Sequence, residues 1–288
     1  MPGMEHWPTG EIERPHPLVR RILAPNPSPF TFTGTQSYIV GAGEVAVIDP
    51  GPDDPRHVEA LTAAVAGERV RAILCTHTHR DHSPASRALA AATGAPVVGC
   101  APLAIEDQGP RSDAAFDFDY APDRVLGDGE RVEGDGWTLE AVATPGHTSN
   151  HLCFALLGTG VLFTGDHVMG WSTTVVSPPD GDMSDYMTSL DRLSRRDDRI
   201  YLPAHGPAVD DPQAHLRRLI EHRRMRERQI LGHLKGGEGR ISAMVPFMYR
   251  DVDPRLHPAA ARSVLAHLVD LERRGRVRCE GERWTASA

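Results

Sequence analysis

The sequence is short of cysteine, of lysine and of long apolar runs, and each shortage excludes something. Its four cysteines, Cys75, Cys100, Cys153 and Cys279, stand far apart, with no Cys-x-x-Cys pair. That pattern argues against a disulfide scaffold and for reduced, mostly buried thiols in an intracellular protein. No basic region followed by an apolar core stands in MPGMEHWPTGEIERP, so no secretory signal is expected there. The uncharged stretch around Leu152–Gly165 is broken by Gly158-Thr159-Gly160, which excludes a membrane span. A cytoplasmic location follows as the expectation. Of 31 basic residues 30 are arginine, throughout the chain, so codon composition explains the bias more simply than anion binding does. No short-period repeat is visible.

What is present is an ordinary globular composition. Hydrophobic residues make up 40% and charged residues 24% of 288, which excludes a mainly disordered or fibrous chain. At roughly 100–200 residues per domain, the length allows one large domain, or one large and one small. The charge is uneven. Residues 215–288 carry 16 Lys+Arg against 9 Asp+Glu, a balance of +7; the remainder carries 15 against 30, a balance of −15. A basic tail on an acidic body suggests two modules. Three segments are expected: an irregular, proline-rich lead-in over 1–29, a main body over 30–211 and a C-terminal module over 212–288.

Hydrophobic periodicity places the elements. Gln36–Val40 and Val45–Ile48 flank Gly41-Ala42-Gly43 as a hairpin. Asp54 before Pro55 opens a helix that Gly67 closes, and Ser83-Pro84 opens another that stops at Gly94. Val70–Cys75, Pro96–Gly99, Trp137–Val142, Leu152–Leu157, Val161–Thr164 and Arg199–Leu202 read as strands, with a helix over Ser184–Arg195. Residues 103–123 read as an acidic loop. Sheets with helices packed outside them follow, an α/β architecture. Beyond Pro212, Leu216, Leu219, Ile220, Ile230, Leu231 and Leu234 mark one helix face. Arg217, Arg218, Arg223, Arg224, Arg226 and Arg228 fall mainly elsewhere on that helix. Helices over Ile241–Tyr249 and Ala259–Arg273, then a hairpin, complete a winged-helix layout.

The chemistry concentrates in His77-Thr78-His79-Arg80-Asp81-His82, a strand-to-helix loop with three imidazoles and a carboxylate. Imidazole with carboxylate suits zinc or iron, and manganese where carboxylate dominates. His147 in Thr144-Pro145-Gly146-His147-Thr148, Asp166 after Gly165, and His205 in Ala204-His205-Gly206 each stand just past an expected strand, where loops gather functional groups. This set resembles the metallo-β-lactamase superfamily over about residues 30–210. The resemblance is greatest to the β-lactamase-like protein 2 branch and its bacterial relatives, through Thr76–Ser83, Thr144–Thr148, Ser184–Leu190, Ala204–Pro207 and the winged-helix tail.

The resemblance implies an αββα sandwich with a winged-helix-like C-terminal domain and two Zn2+ ions, iron or manganese being alternatives. One ion would take His77, His79 and His147, the other Asp81, His82 and His205, with Asp166 bridging. Two divalent ions, two carboxylates and a bridging hydroxide leave a residual +1 that would stabilise an anionic transition state. Two such ions roughly 3.5–4 Å apart would also acidify the water between them. Asp81 and Asp166 are thereby the expected catalytic carboxylates. Asp49 resembles a position that orients a ligand histidine from behind, the alternative being a turn residue. His151 is a buried hydrogen-bonded group or a similar support, and His167 faces pocket or core. Arg80 pairs with a carboxylate or meets an anionic substrate. Trp171, Tyr186 and the loop Val175–Pro179 line a partly apolar substrate pocket or pack the core. His57 and the remaining histidines read as ordinary surface or packing residues.

The branches acting on glutathione thioesters, homoserine lactones and transfer-RNA 3′ ends lack their own signatures here. A small acyl substrate, a thioester or related ester, is the leading expectation. A single-strand-specific endoribonuclease with the same metals is the alternative, and a DNA-binding regulator using the winged helix ranks last. The body holding the site is acidic, and Ala259-Ala260-Ala261-Arg262-Ser263 offers a recognition helix one long donor. Homo-oligomerisation stays open, and no membrane partner is expected.

Overall fold

The computed structural model describes residues 7–104 and 116–287. Strands β1 (Ile12–His16), β2 (Val19–Leu23), β3 (Gln36–Ala42) and β4 (Glu44–Ile48) form an antiparallel run. Helix α1 (Pro55–Ala64) crosses over to β5 (Arg69–Cys75), parallel to β4. Its N-terminus is capped by Asp54, whose side chain accepts from Arg56 N. Helix α2 (Ala85–Thr93), closed by Gly94, leads to β6 (Val97–Gly99), and β7 (Arg124–Val125) completes a seven-stranded sheet. A second sheet holds β8 (Arg131–Gly134), β9 (Trp137–Ala143), β10 (Leu152–Leu156), β11 (Val161–Gly165) and, after helix α3 (Met183–Ser194), β12 (Ile200–Pro203). The pair β11–β12 is parallel.

Side-chain alternation explains why the sheets pack as they do. Ala46, Ile48, Ala72 and Leu74 turn to one face and join Leu139, Phe154, Phe163 and Leu202 of the second sheet in one core. Val45, Val47 and Ile73 turn to the other face and meet Leu61 of α1 and Leu89 of α2. Strands buried on both faces read as continuous apolar runs, which is why they are legible in the sequence.

The chain folds as two compact units. The first comprises residues up to 144, 150–172 and 197–212; the second comprises 145–149, 173–196 and 213–288. In the second unit, α4 (Pro212–Lys235), α5 (Ile241–Met248), α6 (His257–Arg273) and the hairpin β13 (Val277–Glu280)–β14 (Arg283–Ala286) enclose their own core, with Ile230, Met244, Val264, Leu268 and Trp284 at its centre. No helix among the described residues is long and apolar enough to cross a membrane. Cys75, Cys100 and Cys153 are buried and Cys279 half-buried, all as free thiols.

The lead-in differs from the expectation. Residues 12–23 hold β1 and β2 instead of irregular chain. Pro15 lies in β1, which is the edge of its sheet. An edge strand tolerates a residue without an N–H, so the prolines masked a strand without preventing one. Strands β7 and β8 also went unexpected; both are short and mostly exposed, with no apolar run to mark them. Of the acidic loop 103–123, residues 105–115 lie outside the described part.

Candidate metal centre

The donors gather because parallel strands end together. Asp49 follows β4, the run His77–His82 follows β5, Asp166 follows β11 and His205 follows β12. All belong to the first unit. His77, His79, His82 and His205 are buried, as is Asp166, while Asp81 is half-buried.

One set is Asp81, His82, His205 and Asp166. His205 Nε2 stands 3.2 Å from Asp81 Oδ2 and 3.2 Å from Asp166 Oδ1. His82 Nε2 stands 3.4 Å from Asp81 Oδ2 and 3.6 Å from Asp166 Oδ1. Four donors around a tetrahedral ion with bonds of roughly 2.0–2.1 Å are separated by about 3.3 Å. These spacings therefore fit one divalent ion at their centre. His82 Nε2 and Asp81 Oδ1 are moreover buried without a hydrogen-bond partner among the described residues. A buried polar atom left so is costly, and a metal bond would satisfy it.

The other set begins with His77 Nε2 and His79 Nδ1, 3.0 Å apart. Asp166 offers an oxygen within 4.8 Å of these donors. Asp166 therefore belongs to both sets. His147 lies on the segment grouped with the second unit, where its Nδ1–H donates to Val175 O at 2.7 Å.

The imidazoles are fixed from behind. Asp49 Oδ1 accepts from Thr76 N at 2.8 Å. Asp49 Oδ2 accepts the Thr76 hydroxyl at 2.8 Å and bonds His82 Nδ1 at 3.0 Å. With its proton given to Asp49, Thr76 Oγ1 accepts from His77 Nδ1 at 2.9 Å, which turns His77 Nε2 toward the cluster as a lone pair. His205 Nδ1–H donates to Gly34 O at 3.3 Å. His151 Nε2 accepts from Asp166 N at 3.2 Å, so its proton sits on Nδ1 and faces Thr144 Oγ1 at 2.9 Å. A Cβ at Gly165 would stand 2.7 Å from His151 Nε2 and 2.8 Å from Thr76 Oγ1, so only glycine fits before Asp166. Asp49 itself adopts φ 47°, a strained value for a residue with a side chain.

Electrostatics match this crowding. Burial opposes charge on His205, but Asp166 and Asp81 outweigh it and raise the ring to about 10 in the metal-free chain. Burial likewise opposes ionisation of Asp81 and Asp166, yet His82 and His205 hold both carboxyls well below the usual range. A divalent ion entering here must displace the imidazole protons.

The other expected site residues fall in varied places. Trp171 is half-buried and stacks on Phe32, centroids 5.0 Å apart and planes at 18°. Its Nε1 is buried without a partner among the described residues. Tyr186 is fully buried in the second unit, beneath the Arg223 guanidinium at 4.9 Å and against the backbone of Gly146, the packing alternative. His167 is buried, and exposed Arg80 donates to Phe116 O at 3.2 Å. His57, expected as a surface or packing residue, is buried next to Asp49: its Nε2 bonds Ser37 Oγ at 2.8 Å, and the Ser37 hydroxyl donates to Asp49 O at 2.5 Å. Its placement four residues before buried Leu61 on α1 was the available signal. Arg223, grouped with the outward arginines in the sequence, is buried.

Comparison with known proteins agrees with this architecture. Residues 30–205 match the metallo-beta-lactamase superfamily and residues 241–284 the beta-lactamase associated winged helix domain. The chain is 33% identical over 276 residues to the beta-lactamase-like protein 2 homolog of Drosophila melanogaster, covering 90% of this chain and 89% of the relative. It is 31% identical over 264 residues to the atrochrysone carboxyl ACP thioesterase of Aspergillus chevalieri, covering 89% and 79%. A beta-lactamase domain protein from Burkholderia ambifaria shares the fold, with a TM-score of 0.82 at 21% identity over 99% of this chain and 96% of the other.

Proposed function

Because the chain belongs to the metallo-β-lactamase superfamily and is a metal-dependent hydrolase, we propose that it is a dinuclear zinc enzyme cleaving a small acyl substrate, a thioester or related ester. The observation that carries the dinuclear reading is Asp166, which stands 3.2 Å from His205 of one donor set and within 4.8 Å of the His77 and His79 donors of the other. By its family resemblance His147 is taken as the third imidazole of the set containing His77 and His79. When bound, the ions supply Lewis acidity and an activated water near neutral pH. Asp166 and Asp81 bring the negative charge that holds two cations in a buried place. Asp49, Thr76, His151 and the Gly34 carbonyl keep the donors aimed, so that little reorganisation accompanies the reaction.

The acyl assignment is supported by the thioesterase relatives and by charge. The body around the site has a balance of −15, unfavourable for a polyanion. Arg262, the one long donor that a recognition helix would offer, and Arg273 near the other end of α6 are engaged within the second unit. Arg262 donates to Ser177 Oγ and Pro178 O, and Arg273 pairs with Asp182. A hydrolysis screen over thioesters, esters, lactones, lactams and labelled single-stranded RNA tests the assignment. Turnover of thioester or ester that disappears on chelation is expected. Cleavage of RNA with no acyl turnover would overturn it.

A further inference from the structure

We propose that Arg262 and Arg223 are positioning residues for His147, bracing the chain segment whose carbonyl holds that imidazole. The inference rests on reading His147 as a metal ligand. All of its parts lie in the second unit.

His147 Nδ1–H donates to Val175 O at 2.7 Å. A carbonyl can only accept, so this bond fixes the tautomer and leaves Nε2 as the lone-pair donor. The orientation of the ring is then as good as the placement of that carbonyl. Val175 lies in residues 173–177, which form neither helix nor strand, so no ladder holds it. Two guanidinium groups hold it instead, one on each side. Arg223 of α4 donates to Thr174 O, the carbonyl immediately before. Arg262 of α6 donates through Nε to Ser177 Oγ at 3.0 Å and through its terminal nitrogen to Pro178 O. Further bonds close the unit: Gly181 N to Ser177 O at 2.9 Å, and Ser149 N to Asp180 Oδ2 at 3.2 Å, which returns to the loop of His147. Arg223 is 2% exposed, and its stacking on Tyr186 fixes the direction from which it donates. A planar, preorganised fork loses little freedom in making two such bonds, and lysine cannot copy it. The C-terminal helices thereby set the geometry of a ligand that precedes them by many residues in the chain.

The test is stepwise cobalt titration of the full-length protein, read by visible absorption, with chelator competition to resolve the two affinities. Losing support behind a ligand histidine lowers metal affinity by about 10–100-fold. Arg262→Met should therefore weaken one site about tenfold and leave the other within about twofold, with an altered spectrum for the weakened site. Arg262→Lys should recover part of the loss. Ser177→Ala, which keeps the charge and removes one acceptor, should give a smaller change of the same kind. His147→Ala should lose one ion outright. Loss of an ion in His147→Ala with unchanged affinities in the Arg262 and Ser177 variants would sink the bracing and leave the ligand reading intact. Retention of both ions in His147→Ala would instead sink the ligand reading. Equal weakening of both sites, together with a large fall in melting temperature, would also refute positioning, since general destabilisation would account for it.

Discussion

Asp49 and His82 face one another at 3.0 Å, both buried, although they stand 33 residues apart in the chain. The carboxylate also takes the backbone N–H and hydroxyl of Thr76, so one side chain orders the start of the His77–His82 loop and its last imidazole together. Asp49→Ala should lower metal affinity by about 10–100-fold at the set containing His82. Metal titration checks this; unchanged affinity would show that His82 is aimed by its packing alone.

Asp166 and His151 should separate cleanly. Asp166 contributes to both donor sets, so Asp166→Ala should remove activity and lower occupancy at both positions. His151 accepts from the backbone N–H of Asp166 and faces the Thr144 hydroxyl, and His151→Ala should be milder. Equal losses in the two variants, measured by metal analysis after gel filtration, would contradict this assignment of roles.

Metal content should approach two equivalents per chain, and stripping should destabilise the fold. The described donors include two carboxylates and four imidazoles packed in the first unit, where a cation binds the native state far better than the unfolded one. Chelation should lower the melting temperature, and zinc should restore it. A saturable stoichiometry of one, with Asp81 and His205 variants unaffected, would refute the dinuclear reading.

Acid should weaken the second unit through His267. Burial, with Arg223, His222, Arg274 and Arg226 adding to it, lowers this imidazole to about 3. An unfolded histidine titrates near 6.5, so the unfolded chain binds the extra proton first. The stability contribution is complete above about pH 6.5 and is lost as pH falls toward 3. His267→Leu should flatten the pH dependence of the urea midpoint between pH 6.5 and 4.5. A slope identical to wild type would show that other groups set it.

The arginines of α4 should split into two classes. Arg217, Arg218 and Arg224 are exposed, whereas Arg223 is buried over Tyr186. Neutralising the exposed three should leave acyl turnover within a few-fold and add little salt dependence. Arg223→Met should lower the melting temperature. A steep salt dependence abolished by the exposed triple variant would favour an anionic polymer as substrate.

The sequence by itself determined the candidate donors and most of the elements. His77, His79, Asp81, His82, Asp166 and His205 follow apolar strands whose continuous runs are visible without a structure, and the glycine and proline punctuation around them marks the turns. Periodicity is a local property, and local properties are written locally. Facing is not. That His57 lies behind Asp49 through Ser37, that His151 takes the N–H of Asp166, and that Arg223 is buried while Arg224 is exposed depend on the register and stacking of strands and helices far apart in the chain. The edge strand β1 was hidden for a related reason, since its pairing, not its composition, makes it a strand. Tertiary structure decided these points because a side chain's partner is set by which surfaces the cores bring together, and no short window of sequence contains both sides of such a contact.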